Sequence, residues 1–180
     1  MAVAANEQIL RGGTGDSAYG FSGSVTPASN PAREEMQSLA GWIAAKSGCV
    51  GTIGVDFVIG SEGPVAIEVN PRFQGTVDTV EMATGANLFS LHLNACHGML
   101  PPESPPASQV ACRSILFADR NITITEDLSR FKKFIADIPW PGTGFEEEQA
   151  VVSVYGWGPD RTAALAMLDK HITTVRQYMR

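Results

Sequence analysis

Two short segments of alternating apolar and polar residues dominate the first half of the chain. Residues 51–59 and 64–69 are rich in β-branched side chains and are separated by Gly60-Ser-Glu-Gly63, which predicts a β-hairpin. If residues 61–63 form a three-residue loop, residues whose numbers sum to 124 stand opposite one another. This register predicts the pairs Val55/Val69, Phe57/Ile67 and Ile59/Val65 on an apolar face, and Val58/Ala66 and Asp56/Glu68 on the other face.

Helical spacing and strand-like runs account for most of the remaining chain. Pro31 at a helix start precedes apolar residues at helical spacing, and Asp160 is the expected cap of a final helix. Glycines between residues 12 and 23 predict a mobile loop. The other expected elements are strands over 3–10, 109–118 and 151–155, and helices over 76–83, 86–96 and 125–131, the last capped by Thr125.

Composition narrows the class of protein. The 180 residues are 44% hydrophobic and 18% charged, which is typical of a globular chain. A net charge of −6 without a basic run argues against a nucleic-acid-binding surface. No apolar segment reaches the ~20 residues of a membrane span, and the start lacks a basic signal-peptide region. We therefore expect a cytoplasmic protein that binds neither nucleic acid nor membrane.

The three cysteines, Cys49, Cys96 and Cys112, lack zinc-ligand spacing. The simplest expectation is that they are small buried apolar residues. A zinc site with His92 and Cys96 is the less favoured alternative, because four credible ligands are not found.

The hairpin carries the candidate chemistry. Two carboxylates directly opposite in a sheet, Asp56 and Glu68, repel each other unless a cation neutralises them. Magnesium takes one or two carboxylates and completes its shell with phosphate and water, and Asn70 adds a neutral oxygen. Arg72 carries donors suited to phosphate. The alternative to a metal site is an ordinary solvent-facing hairpin edge. The alternative role of Arg72 is to pair with Asp78 or Glu81.

The same residues carry a family resemblance. An acid at Asp56, a Gly-containing turn and the run Glu68-Val-Asn-Pro-Arg72 resemble the nucleotide–metal hairpin of the ATP-grasp superfamily. Residues 51–98 are most similar to its carbamoyl-phosphate-synthetase-like ligases. The resemblance implies an α+β fold, namely the carboxy-terminal ATP-grasp lobe, an antiparallel sheet with flanking helices, then a small β-rich segment and a terminal helix. The expected division is the lobe at 1–100, a Pro-rich connection at 101–108, and closing strands and helix at 109–180.

The resemblance also implies an activity. The parent enzyme would activate a carboxylate as an acyl phosphate with ATP and magnesium or manganese, for attack by an amine or similar nucleophile. Asp56, Glu68 and Asn70 would bind the metal, Asn70 and Arg72 the nucleotide, and Arg72 would act in catalysis.

The family's amino-side lobe, with its phosphate-gripping lysines, has no counterpart in these residues. We therefore expect a further domain or partner chain to supply it. The alternatives are a non-catalytic module that binds metal or a partner, and a structural subunit that completes another protein's ATP site.

Overall fold

The computed structural model describes residues 1–12 and 16–179. It has a mixed α and β architecture with antiparallel strand pairs and flanking helices, as predicted. The elements in chain order are β1 (Glu7–Leu10), a 3₁₀ turn (Asp16–Tyr19), β2 (Phe21–Thr26), α1 (Arg33–Ser47), β3 (Gly54–Gly60), β4 (Gly63–Asn70), α2 (Val77–Thr84), α3 (Leu88–Cys96), β5 (Val110–Phe117), β6 (Ile122–Ile124), a 3₁₀ turn (Leu128–Phe131), β7 (Ile135–Ala136), β8 (Thr143–Phe145), β9 (Ala150–Gly158) and α4 (Arg161–Arg176).

The chain forms two compact units. The first combines Met1–Glu7 with Thr26–Ser108, and the second combines Gln8–Val25 with Gln109–Arg180. The division at 1–100, 101–108 and 109–180 stays a prediction. Among the described residues, the structure contains no helix with the length and apolar character that a membrane crossing requires.

The β3–β4 hairpin of the first unit departs from the predicted register near its tip. Gly60 pairs with Gly63, so the loop has two residues, and Gly63 has a φ of 120°. Phe57 then faces Ala66, whereas Asp56 faces Glu68, which leaves Ile67 as the extra residue of a β-bulge. The predicted Val55/Val69 and Asp56/Glu68 pairs are confirmed. The predicted pairs Phe57/Ile67, Val58/Ala66 and Ile59/Val65 are wrong, because the shorter loop shifts this part of the register by one residue.

Helices α1, α2 and α3 complete the first unit, and local signals end them. Gly48 and Gly85 adopt left-handed conformations after α1 and α2, with φ values of 67° and 72°. The Asn87 side chain caps α3 by accepting a hydrogen bond from the Ser90 amide at 2.7 Å. These ends agree with the predicted helices around residues 76–83 and 86–96.

The second unit is built on a five-stranded sheet with the strand order β1-β2-β5-β9-β7. Helix α4 packs on β9, where the Cα of Gly156 lets the strand approach the helix backbone closely. A Cβ at this position would lie 2.5 Å from both the Ala164 carbonyl oxygen and the Leu168 nitrogen. The largest buried side chains of this core are Val25, Leu116, Ile124, Leu128, Val152, Val154 and Val175.

The sequence predicted one helix start in the second unit correctly and one incorrectly. Asp160 caps α4, since its carboxylate accepts a hydrogen bond from the Ala163 amide at 2.9 Å. The helix expected from Thr125 is instead a 3₁₀ turn, Leu128–Phe131. Asp127 begins this turn by accepting a bond from the Ser129 amide at 2.8 Å. The carboxylate, an acceptor that is also charged, replaces Thr125 as the cap.

Part of the predicted glycine loop is ordered secondary structure. Residues 13–15 lie outside the described residues, while Asp16–Tyr19 form a 3₁₀ turn and Phe21–Thr26 form β2. Gly23 in this strand leaves no room for a side chain, because a Cβ there would collide with the Arg113 carbonyl oxygen. The sequence pattern also missed the short strands β6, β7 and β8.

Candidate functional site

The hairpin brings the two predicted metal carboxylates together. Asp56 on β3 pairs directly with Glu68 on β4. Paired residues of an antiparallel sheet project to the same face. Asp56 is half-buried and Glu68 is exposed to solvent, so one carboxylate is held by its surroundings and the other is free to meet a ligand.

Asn70 connects this pair to Arg72. Its side chain is only 7% exposed, and its amide nitrogen donates to Asp56 Oδ2 at 3.2 Å. Its amide oxygen accepts from Arg72 Nη2 at 3.4 Å. Gln74 supports this segment by donating to the main-chain carbonyl oxygens of Asn70 at 3.3 Å and Arg72 at 2.8 Å. The four predicted site residues Asp56, Glu68, Asn70 and Arg72 are therefore brought together.

Arg72 remains exposed beside the carboxylates. Besides Asn70, its guanidinium donates to the Phe73 carbonyl oxygen at 3.2 Å. Glu81, one of the acids that the sequence offered as its partner, accepts a bond from the Leu88 amide at 2.6 Å and so stabilises the start of α3. The Arg72 guanidinium therefore sits at the edge of the hairpin face with a neutral amide and a carbonyl as its contacts.

The donor set fits a hard divalent cation. Two carboxylates and one amide oxygen are the ligands that magnesium accepts before phosphate and water complete its shell. The Asn70 amide presents its nitrogen to Asp56 and its oxygen to Arg72, so a half turn that brought the oxygen toward Asp56 would give up the bond to Arg72. Among the described residues, no group of three or more His, Cys, Asp or Glu is placed to hold a metal ion.

The sequence reasoning missed how α3 supports this site. The His92 Nδ1 atom accepts from the Thr52 amide at 3.0 Å, and the His92 ring lies 4.9 Å from the Phe73 ring. Gly51 makes room for the imidazole, because a Cβ there would lie 2.6 Å from the His92 ring. The aromatic residue after Arg72 is thus packed against α3. The signal available in the sequence was Phe73 itself, an aromatic residue beside the site arginine.

Two cysteines also differ from the expectation. Cys49 and Cys96 are exposed, whereas Cys112 is buried as predicted. Cys96 Sγ lies 3.7 Å from His92 Nε2 on the surface of α3. Both residues lie on the solvent side of the first unit, which sequence periodicity alone did not show.

A second polar cluster lies on the sheet of the second unit. Arg113 on β5 is 14% exposed and donates from Nη2 to Ser153 Oγ at 2.6 Å and to Asp137 Oδ2 at 3.3 Å. Ser153 in turn donates to Asp137 Oδ2 at 2.6 Å. Asp137 adopts a φ of 57°, unusual for a residue other than glycine. An arginine inside the apolar run of residues 110–117 was the sequence signal, and it was not recognised.

Comparisons with known proteins relate part of the chain to the ATP-grasp domain. Residues 1–76 match the family model of the ATP-grasp domain. The chain is 30% identical over 149 residues to an uncharacterised protein of Methanocaldococcus jannaschii, a match that covers 83% of this chain and 35% of the relative. The chain thus spans about a third of the length of this curated relative.

Solved structures share the fold at low sequence identity. Kluyveromyces lactis urea amidolyase superposes with a TM-score of 0.75 at 17% identity, covering 94% of this chain and 11% of that one. The biotin carboxylase domain of 2-oxoglutarate carboxylase from Hydrogenobacter thermophilus, solved with MgADP, ADP and bicarbonate, gives a TM-score of 0.70 at 17% identity. That match covers 86% of this chain and 38% of the other. Likeness at this identity shows the fold, and the fold is the one that the hairpin motif predicted.

Proposed function

Because residues 1–76 match the ATP-grasp domain and the chain shares its fold with biotin carboxylase, we propose that it supplies the metal- and phosphate-binding part of an ATP-dependent ligase. The ligase would activate a carboxylate as an acyl phosphate, which an amine or similar nucleophile then attacks. The observation that carries the proposal is the Asp56/Glu68 pair on one hairpin face, linked through Asn70 to Arg72.

Each residue has a distinct part in this proposal. Asp56 and Glu68 would hold magnesium, and the Asn70 oxygen would join them when its amide turns from Arg72 toward the ion. The bound ion would neutralise charge on the ATP phosphates. Arg72 would bind the transferred phosphoryl group, because its guanidinium is exposed and its present contacts are neutral groups. Phosphoryl transfer depends mainly on such positioning and charge neutralisation.

An apolar pair beside the carboxylates supports a nucleotide ligand. Val58 pairs with Val65, one alternation along the strand from Asp56 and therefore on the same face. The two side chains are 54% and 58% exposed. A nucleotide needs an apolar surface for its base next to a charged site for its phosphates, and this hairpin face combines the two.

The proposal requires a second lobe. The lysines of the chain are Lys46, Lys132, Lys133 and Lys170, and none belongs to the hairpin site. Arg72 would therefore be the one cationic residue of this chain that contacts the phosphates. An amino-side lobe, on the same polypeptide or another, would provide the remaining phosphate contacts.

The test uses the chain together with its amino-side lobe and measures Mg-ADP binding by calorimetry. Glu68→Gln and Asp56→Asn should each weaken binding by about tenfold or more, since each removes one charged metal ligand. Glu62→Gln is the matched control, because Glu62 is an exposed acid in the hairpin loop. Equal effects of Glu62→Gln and Glu68→Gln would contradict the proposal.

A second candidate function is a non-catalytic module that binds metal or a partner. The small number of cationic side chains at the hairpin favours it. Nucleotide binding separates the two candidates, because the module would bind magnesium without gaining affinity for Mg-ADP when the lobe is present.

A further inference from the structure

An apolar strip on and after α3 faces solvent in the first unit. Phe89 and Leu93 on the helix are 60% and 44% exposed, and Met99 and Leu100 just beyond it are 56% and 62% exposed. These four residues are referred to below as the α3 stripe. Single exposed apolar residues are ordinary, but a contiguous group marks an interaction site.

The helix geometry makes the stripe contiguous. Phe89 and Leu93 are four residues apart and therefore lie on one helix face. The helix ends with Gly98 in the left-handed region at φ 74°. The Gly98 amide bonds the Ala95 carbonyl and the Met99 amide bonds the Asn94 carbonyl, both at 2.9 Å. This hydrogen-bond pattern is the Schellman motif. In a Schellman motif the residue after the glycine commonly packs on the last helical turn, and here that turn carries Leu93.

The segment that carries the stripe is uncharged. Residues 82–102 contain no Asp, Glu, Lys or Arg, although α3 is partly open to solvent. A surface helix usually carries charged residues on its solvent face, whereas the buried centre of a protein interface is depleted of them. The composition of the stripe is that of an interface.

The stripe is continuous with the hairpin site. The Phe89 ring stacks near the Phe73 ring, with 6.5 Å between centroids and an interplanar angle of 24°. Phe73 follows Arg72 and its carbonyl oxygen accepts from the Arg72 guanidinium at 3.2 Å. A domain seated on the stripe would therefore lie next to the arginine that we assign to phosphate binding.

We propose that the α3 stripe is the docking surface for the amino-side lobe of the ligase, an inference that rests on the proposed function. The chain spans 35% of its archaeal relative and 38% of the biotin carboxylase chain with MgADP. In both proteins, more polypeptide lies outside the matched part than inside it. An apolar, uncharged surface fits a permanently associated domain better than a transient partner, since permanent interfaces are the more hydrophobic class.

The first measurement is the affinity between residues 1–180 and the amino-side lobe encoded at the locus of this chain, produced as a separate polypeptide. We expect a one-to-one complex that Leu93→Lys weakens by at least about tenfold, because it buries an unpaired charge. Trp42→Lys is the matched control. Trp42 is a large apolar residue on α1, outside the stripe, and is 62% exposed. Both variants alter exposed side chains, and thermal melts confirm that each is folded.

Cys96 provides a second readout on the same helix face. It is exposed and follows Phe89 by seven residues, or about two turns. Addition of the lobe should slow alkylation of Cys96 by iodoacetamide, measured by mass spectrometry. In the Leu93→Lys variant, the same concentration of lobe should leave the rate nearly unchanged.

Several outcomes would overturn the inference. One is that the lobe binds wild type and Leu93→Lys equally, or binds neither. Another is that the locus encodes no such lobe. The last is that this chain forms a dimer that Leu93→Lys disrupts, which would assign the stripe to a second copy. Mg-ADP binding by the complex separates this inference from the proposed function. A complex that depends on Leu93 and binds no nucleotide would keep the docking surface and remove the ligase proposal.

Discussion

At the scale of single residues, Glu68 is the side chain whose replacement reports most directly on the hairpin site. It stands opposite Asp56, and like charges in this position destabilise a sheet. Glu68→Gln keeps the shape and removes the repulsion, so in chelator the variant should be at least as stable as wild type. With magnesium at tenfold its dissociation constant, wild type should gain about 1.4 kcal/mol and the variant less than half of that. Thermal melts at neutral pH, with EDTA or with magnesium, measure both quantities.

Glu62→Gln is the control for this experiment, because it makes the same charge change in the exposed hairpin loop. It should respond to magnesium as wild type does. If Glu68→Gln lost stability in chelator and kept the full response to magnesium, Glu68 would be a structural hydrogen-bonding residue and the metal site would have to be abandoned.

The buried thiol of Cys112 should make the protein less stable at alkaline pH. Burial raises the pKa of its thiol from 9.0 to about 11, against the opposing effects of a backbone hydrogen bond at Gly156 and the positive charge of Arg161. Because the folded pKa is above the unfolded one, the folded state holds the proton more tightly. The contribution of the protonated Cys112 thiol to the free energy of unfolding is therefore complete below pH 9 and is lost as the pH rises to about 11.

The size of this effect follows from the shift of the pKa, which corresponds to roughly 2 to 3 kcal/mol. Urea unfolding at pH 8 and pH 10.5 should show that wild type loses more stability than Cys112→Ala, which has no thiol to titrate. Equal losses in the two proteins would show that Cys112 does not titrate within this range.

At the scale of elements, the contact between β9 and α4 depends on Gly156. A Cβ there would lie 2.5 Å from backbone atoms of α4, which flexible side chains cannot relieve. Gly156→Ala should therefore destabilise the protein by about 1 to 3 kcal/mol, the usual cost of overpacking. Gly144→Ala in β8 is the control, since no atom lies within 4 Å of the Cβ position there. Chemical denaturation of both variants tests the difference, and similar losses would contradict this account of the packing.

The hairpin shows how one element combines local and tertiary information. Its turn glycines and alternating pattern predicted the Asp56/Glu68 pair, which lies next to Asn70 and Arg72 in the structure. The bulge at Ile67 was not predictable from the alternation, because an extra residue in one strand leaves the apolar pattern of the other strand unchanged. The pairing at the Asp56/Glu68 end of the hairpin was therefore predicted correctly and the pairing at its tip was not.

At the scale of the whole molecule, the isolated chain should bind Mg-ATP weakly. Without a bound cation, Asp56 and Glu68 repel the polyphosphate, and Arg72 is the single cationic residue that we assign to it. We expect no saturation below about 1 mM by calorimetry, which corresponds to a binding free energy of roughly −4 kcal/mol. The same titration with the amino-side lobe present is the control. Micromolar binding by residues 1–180 alone would show that the chain already contains the phosphate contacts we assign to the lobe.

The sequence by itself determined the features that depend on neighbouring residues. Asp160 caps α4, Gly85 ends α2, and Asn70 and Arg72 follow the hairpin at the motif spacing. Each of these features arises from a hydrogen bond or a backbone preference that acts within a few residues, so the local pattern is sufficient to predict it.

The tertiary structure alone decided which side chains meet across long stretches of chain and which remain at the surface. Arg113 meets Asp137 and Ser153, and His92 meets Phe73, through contacts that no local pattern encodes. The exposure of Cys96 and of the α3 stripe was equally invisible, because helical periodicity shows that residues share a face without showing what covers that face. Burial is a property of the packed units, and it follows only once their elements have been placed against one another.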